Sequence, residues 1–221
     1  MSTTAQMPDL ASLSAEEIKA IAANLAHPQG EMGHAVAERM NENNAGVTSL
    51  MYDHLNVGPK SRVLEIGFGN GKLLTQLLGM CARVDGIDIS RDMIDAGKKL
   101  QADAIAEGKL TLSYGSSASI PYADDSFDAI CTANTLYFWK DVPQDLQEIK
   151  RVLKPGGRLA IGIRSRSKME AMPFTAHGFT LYEKEEVVAL LEAAGFVNAD
   201  YIQVDEELPF DSVVIWAQKP W

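Results

Sequence analysis

The chain reads as an α/β protein: a seven-stranded, mostly parallel sheet with helices on both faces, preceded by an N-terminal helical extension. Three features predict this. From residue 62 onward, short apolar segments alternate with stretches of helical periodicity, the pattern of successive βαβ units. The last two apolar segments are joined only by DEELPF (205–210), too short for a helical crossover, so they form an antiparallel hairpin at one sheet edge. Residues 1–57, in contrast, carry two helical stripes and no strand pattern.

In order along the chain, Ser14 and Glu17 form a capping box ahead of IKAIAANLA (18–26), which is apolar at helical spacing. HPQGEMG (27–33) breaks the pattern with Pro28, Gly30 and Gly33. A second helix over about 34–55 presents Val36, Met40, Val47, Leu50, Met51 and Leu55 on one face, with Asn43 and Asn44 beside that stripe. NVGPK (56–60) ends the extension, which divides the chain into 1–57 and a sheet-containing domain at 58–221. RVLEI (62–66) is a first strand, followed by the glycine loop GFGNG and the helical KLLTQLLG (72–79). RVDGIDI (83–89) is a second strand, and Ser90 with Asp92 starts a helix to about 106. KLTLSYG (109–115) and SFDAICTA (126–133) are the third and fourth strands, and Asp141 caps a helix through Leu153. GRLAIGIR (157–164) is the fifth. Thr180 and Glu183 form a second capping box opening a helix that ends at Gly195, and FVNADYIQV (196–204) and DSVVIWAQK (211–219) supply the final hairpin.

Composition limits the function classes. A net charge of −10 with pI near 4.9 repels phosphate backbones and anionic lipid surfaces, so neither nucleic acid nor membrane is the expected partner. Residues 1–58 alone hold seven Asp/Glu against two Lys/Arg. No stretch approaches 18 apolar residues, and MSTTAQMPDLASLSAEE has neither the basic start nor the apolar centre of a signal peptide. Cys81 and Cys131 belong to no paired spacing, which fits free thiols in a reducing cytoplasm. The spacings of the four histidines match no metal site.

The chemistry concentrates in EIGFGNG (65–71). Gly67, Gly69 and Gly71 permit a tight turn and close backbone approach to a ligand, and the helix that follows aims free N–H groups at the same spot. Asp88 ends the second strand 21 residues after Gly67, where a carboxylate can hold the two hydroxyls of a ribose. A glycine loop with such an acid specifies an adenosine-type cofactor, and nicotinamide dinucleotides and S-adenosylmethionine are both candidates. The third glycine comes one position early for a pyrophosphate binder. Glu65 would repel a pyrophosphate but suits a ligand carrying an ammonium and a sulfonium.

VLEIGFGNG (63–71), GIDIS (86–90), IPYADDSFD (120–128) and RVLKPGGRL (151–159) together resemble the successive motifs of class I S-adenosylmethionine-dependent methyltransferases, and among them the ubiquinone/menaquinone-biosynthesis-like small-molecule enzymes. The resemblance covers about 60–219. It implies a Rossmann-like sheet of order 3-2-1-4-5-7-6 with strand 7 antiparallel. It further implies that Gly67, Phe68, Gly69, Asn70 and Gly71 surround the methionine moiety, that Glu65 holds its ammonium, that Asp88 binds the ribose, and that Ile89 and Met93 pack on adenine. One departure stands out. Where the family often has Asp after the glycine ending the third strand, this chain has Ser116 and Ser117, hydroxyls that hydrogen-bond without charge.

NTLYFW (134–139) begins where the fourth strand ends, across the switch point of that strand order from the glycine loop. Asn134 is expected to touch the methionine backbone atoms, and Tyr137 or Trp139 to face the transferred group, since an aromatic face attracts a sulfonium. The acceptor pocket is expected from the extension and from 165–182, with Met40, Asn43, Asn44, Met172, Phe174 and Phe179 lining it, these segments acting either as a lid or simply as a cover for the sheet edge. Candidate bases are Tyr137, His34, His54 and His177. The expected reaction is in-line methyl transfer to a small molecule, leaving S-adenosylhomocysteine. Three alternatives stay open from sequence: cyclase or lyase chemistry on the cofactor itself, releasing methylthioadenosine; a nicotinamide-dependent reductase; and a non-catalytic cofactor-binding module.

Overall fold

Every strand of the expected sheet is present in the computed structural model, which describes residues 13–204 and 211–221. The strands are β1 (Arg62–Ile66), β2 (Arg83–Asp88), β3 (Leu110–Tyr114), β4 (Phe127–Ala133), β5 (Leu153–Ile163), β6 (Val197–Val204) and β7 (Ser212–Gln218). Their order is β3-β2-β1-β4-β5-β7-β6, with β7 antiparallel to both neighbours and the other pairs parallel. β1 lies at the centre between β2 and β4, and the chain changes direction across the sheet there. Both faces of β1 are covered, which accounts for its nearly continuous apolar sequence.

Alternation along β1 sorts its side chains to opposite faces. Leu64 and Ile66 join one core with Leu146, Ile149 and Val152 of α6 (Val142–Val152) and Val187 and Leu191 of α8 (Lys184–Ala193). Val63 joins the other core, with Phe68, Leu74 and Leu77, and with Val47, Met51, Tyr52 and Leu55 from α2 (Gly30–Asp53) and its C-terminal end. The second half of α2 is therefore part of the layer that covers the sheet, so residue 57 marks no break in packing. Glu65 shares the Val63 face, a placement that decides its chemistry.

Several boundaries differ from expectation, each for a local reason. α1 (Ala15–Ala26) is opened by the expected capping box, with Ser14 N–H to Glu17 Oε2 at 2.8 Å and Glu17 N–H to Ser14 Oγ at 3.3 Å. α2 begins at Gly30 rather than 34. A carboxylate distant in sequence, Asp92 Oδ2, accepts the Gly30 N–H at 2.7 Å, so the first turn is capped from outside. Gly33 is needed in that turn, because a Cβ there would lie 2.7 Å from the Pro28 carbonyl carbon. The helix expected over 90–106 is split at Gln101 into α4 (Arg91–Leu100) and α5 (Ala102–Ala106). The Gln101 amide donates to the Gly71 carbonyl at 2.8 Å and to Thr75 Oγ1 at 2.9 Å, which ties the break to the glycine loop. The helix after that loop is short, α3 (Leu74–Leu78), and β5 begins at 153 rather than 157.

The second capping box sits three residues later than expected. It joins Glu183 and Glu186, and α8 starts at Lys184. The Thr180 N–H instead donates to the Tyr137 carbonyl at 3.0 Å, pinning this segment to the aromatic loop. Residues 165–182 otherwise contain α7 (Arg166–Glu170) and a 3₁₀ turn, Pro173–Ala176, that packs near α1. DEELPF, like residues 1–12, lies outside the described residues.

The sheet leaves little room where β2 and β3 meet the glycine loop. A Cβ at Gly86 would lie 2.7 Å from Leu112 Cδ2 and 2.8 Å from Phe68 Cδ1, both in the core. Gly86→Ala should therefore destabilise the protein by about 1–3 kcal/mol through overpacking. Denaturant unfolding measures this, and an unchanged midpoint would show that Phe68 and Leu112 yield freely.

Candidate active site

The C-terminal ends of β1, β2, β3 and β4 open into one cavity of about 920 Å³, roofed by α1, α2 and the segment after β5. The glycine loop forms its floor. Gly67, Gly69 and Gly71 all have left-handed backbone conformations, with φ of +74°, +60° and +77°. The requirement differs at each. A Cβ on Gly67 would fall 2.4 Å from the Thr135 methyl, so the loop is pressed against the end of β4, whereas a Cβ on Gly69 would meet nothing within 4 Å. Gly69 thus offers its backbone to open space. Gly71 does not line the cavity and packs on Gly97 of α4.

Two carboxylates reach this floor from adjacent strands. Asp88, buried at the end of β2, accepts the Gly69 N–H at 3.0 Å and the Ser90 N–H at 2.8 Å, one on each oxygen. Burial pushes its carboxyl up to about 6 in spite of those bonds. Glu65, on the α2 face of β1, accepts the Tyr52 hydroxyl at 2.6 Å. Burial pushes it up to about 7, opposed by that hydrogen bond and assisted by the charge on Asp88. Among the described residues neither acid takes part in a salt bridge. A cationic ligand would supply what they lack. The site therefore fits a group with an ammonium, a sulfonium and a ribose on the residues present.

The other expected cofactor contacts distribute unevenly. Phe68, Asn70, Ile89, Ser116, Ser117 and Asn134 line the cavity. Met93 does not line it and is fully buried below, with its N–H on Ser90 Oγ at 3.2 Å. The charge missing from 115–118 is present from another element. Asp145 of α6 is buried, lines the cavity, and takes the Ser117 hydroxyl. Its partner was invisible in sequence because the two lie 28 residues apart. Tyr52 and Arg164 were missed for a similar reason. Both read as ordinary members of apolar or basic stretches until the fold turns them inward.

The aromatic loop divides its labour. Leu136 and Tyr137 are core residues, while Phe138 and Trp139 are partly buried and line the cavity. Tyr137 and Phe138 both pack on Phe179, with centroids 5.9 and 4.6 Å away, and Phe174 meets the same ring at a tilt, with centroids 5.7 Å apart. Asn134, with φ of +55°, donates to Asn44 Oδ1 at 2.9 Å and accepts the Tyr137 hydroxyl at 3.3 Å. That hydroxyl in turn accepts the Arg164 N–H at 2.6 Å. Burial holds the Tyr137 phenol well above its ordinary value, which does not suit it to accept a proton near neutral pH. Met40, Asn43, Asn44, Met172, Phe174 and Phe179 do come together on the far side of the cavity. The histidines do not. His34 and His177 are exposed and line no part of the cavity, and His54 stacks on Trp216 at 4.6 Å.

A glycine floor, an acid ending β2 and a cavity at the switch point of an open α/β sheet define an enzyme fold that binds an adenosine-type cofactor. A family model described as a methyltransferase domain matches residues 64–161. An uncharacterized methyltransferase of Bacillus subtilis is 31% identical over 170 residues, 76% of this chain and 88% of that protein. The ubiquinone/menaquinone biosynthesis C-methyltransferase of Geotalea daltonii is 34% identical over 110 residues, and the chain spans about half the length of that relative, 47%. A solved S-adenosylmethionine-dependent methyltransferase from Aquifex aeolicus superposes with a TM-score of 0.69 over 83% of this chain and 96% of that one, at 20% identity. The chain belongs to the class I S-adenosylmethionine-dependent methyltransferase family.

The raised acids have a measurable consequence. Both bind protons more readily folded than unfolded, so they stabilise the ligand-free protein most at acidic pH. That contribution is lost as pH rises from their ordinary range near 4 through the folded values of about 6 and 7. The ligand-free melting temperature should therefore fall between pH 5 and 8. A cationic ligand needs both acids ionised, so the rise it produces should grow over the same window. Thermal melts with and without S-adenosylmethionine test this, and a ligand effect that shrinks toward pH 8 would contradict the assignment.

Proposed function

We propose that the protein transfers a methyl group from S-adenosylmethionine to a small-molecule acceptor in the cavity beside the aromatic loop. The observation that carries this reading is the continuity of that cavity. One space joins the glycine floor and its two dry carboxylates to an apolar chamber lined by residues of α2 and of 165–182. When bound, S-adenosylmethionine supplies an electrophilic methyl group on a cationic sulfur. The chain's own residues orient and exclude water. Glu65, fixed by Tyr52, holds the ammonium; Asp88 exchanges its backbone partners for ribose hydroxyls. Gly67 and Gly69 give close backbone approach, and Asp145 with Ser117 accepts from the adenine amino group.

Asn134 and Tyr137 act as positioning residues. Their chain of hydrogen bonds from Asn44 to Arg164 fixes the end of β4 relative to α2. Phe138, Trp139, Phe174 and Phe179 face the acceptor and present ring surfaces to the sulfonium. Alignment of nucleophile, methyl and sulfur in a dry cavity can supply about 7–11 kcal/mol of barrier reduction. α1 and the first half of α2 complete the roof and serve as a lid. The sequence relatives whose names state an activity are methyltransferases, which supports transfer to an acceptor over chemistry confined to the cofactor. Free Cys81 and Cys131 fit a reducing, cytoplasmic setting, and no helix among the described residues is long and apolar enough to cross a membrane.

Saturating S-adenosylhomocysteine, at about one hundred times its Kd, should raise the melting temperature by about 5–10 °C, and NAD should leave it unchanged. Stabilisation by NAD alone would overturn the reading. Asp88→Ala should weaken S-adenosylhomocysteine binding about ten-fold or more in calorimetric titration; unchanged affinity would show that the ribose lies elsewhere.

A further inference from the structure

The roof that α2 lays over the glycine floor carries a buried polar line. Asn41, Asn44 and Thr48 all line the cavity, and their spacings of three and four residues put them on one side of the helix. Tyr52, four residues further along, continues that side and donates its hydroxyl to Glu65 at 2.6 Å. Asn41 is 8% exposed and Thr48 2%. Much of the line's hydrogen-bonding capacity is nevertheless unused. The Thr48 hydroxyl has no hydrogen-bond partner among the described residues. Asn44 accepts from Asn134 through Oδ1 at 2.9 Å, and its own Nδ2 has no acceptor among them. Polar groups kept from bulk water in that condition cost free energy unless a ligand or a bound water meets them.

The floor opposite has the reverse shortage. Glu65 offers an acceptor for an ammonium, but the glycine loop has little left to donate to a carboxylate beside it. The Gly67 N–H is taken by the Ile87 carbonyl at 2.7 Å and the Gly71 N–H by the Phe68 carbonyl at 3.2 Å. The Gly69 N–H is turned to Asp88, the ribose acid, at 3.0 Å. Asn70 Nδ2 and Lys72 Nζ are both spent on Glu38, each at 3.1 Å. An α-amino acid carries its ammonium and its carboxylate on one carbon. Donors for the second must therefore lie beside the acceptor for the first. Thr48 stands one turn before the tyrosine that fixes Glu65, and Asn44 one turn before Thr48, held to the end of β4 through Asn134.

We propose that Asn44 and Thr48 hold the α-carboxylate of the bound cofactor, forming an uncharged cradle on α2 across from the ammonium site at Glu65. The inference rests on the cofactor placement given above and assigns Asn44 to the cofactor rather than to the acceptor. Thr48 donates its hydroxyl proton and Asn44 an amide proton, each to a carboxylate oxygen, and hydrogen bonds to an ionised acceptor are the stronger kind. Neutral donors satisfy that carboxylate without setting a positive charge near the sulfonium. The attraction of Glu65 and Asp88 for the cationic centre is then left undiminished in a cavity where charges act strongly on one another.

Titration calorimetry at pH 8 tests this with three ligands: S-adenosylhomocysteine, its decarboxylated analogue, which keeps the amine, and its deaminated analogue, which keeps the carboxylate. The wild-type protein should bind S-adenosylhomocysteine about ten-fold or more tighter than the decarboxylated analogue. Thr48→Val and Asn44→Ala should each cut that preference about three-fold or more, and Thr48→Ser, which restores the hydroxyl, should keep it. The preference over the deaminated analogue, set at Glu65, should be unchanged in Thr48→Val. A purely structural role for Thr48 would instead weaken all three ligands alike, and that result would overturn the proposal. So would a wild-type preference below ten-fold, a preference kept by either variant, or one abolished by Arg39→Met but not by Thr48→Val, since Arg39 also lines the cavity. A wild-type protein that takes no S-adenosylhomocysteine would sink the cofactor placement itself, a result distinct from binding without regard to the carboxylate.

Discussion

Two carboxylates held out of water at the ends of neighbouring strands set the terms for this site. Glu65 and Asp88 are kept in place by neutral donors, one tyrosine hydroxyl and two backbone N–H groups, and by no salt bridge among the described residues. Burial raises the cost of ionising both, and the charge on Asp88 raises it further for Glu65. Such an arrangement is poor engineering for a stable apo protein and good engineering for a cationic ligand. The glycine loop, the Tyr52 hydroxyl and the cap at Ser90 all serve to hold these acids open toward the cavity rather than to neutralise them. Natural proteins tolerate local cost of this kind where function requires it.

The architecture was readable from periodicity because the strands are short, apolar and separated by helical stripes. The floor of the site was readable as well, since Gly67, Gly69, Glu65 and Asp88 lie on one βαβ unit and their spacing is local. What sequence concealed depends on contacts between distant segments. Tyr52 meets Glu65 only because β alternation turns Glu65 toward α2. Asp145 meets Ser117 only because α6 folds back over the end of β3. The start of α2 was misplaced because its cap, Asp92, comes from another element. The histidines were reasonable candidates by residue type, and only the fold shows that His34 and His177 point away from the cavity.

The aromatic loop illustrates how one short segment can serve core and site together. Burying Leu136 and Tyr137 contributes a few kcal/mol to stability, roughly 1.5–3 kcal/mol per large side chain. Those two residues anchor the loop, and Phe138 and Trp139 are thereby presented to the cavity without depending on their own burial. The hydrogen bond from Thr180 to the Tyr137 carbonyl then fastens the segment after β5 to the same anchor. The glycine floor and the aromatic end of the cavity consequently share a border at 134–137.

Helix α2 touches that border and two others. Gly30 is held by Asp92 beside the ribose acid, Glu38 accepts from Asn70 at 3.1 Å and Lys72 at 3.1 Å in the glycine loop, and Asn44 accepts from Asn134. The same helix carries Met40 and Asn43 into the lining of the cavity. If the acceptor binds there as proposed, substrate preference and cofactor affinity are written on one rod, and substitutions along α2 that change the one also shift the other.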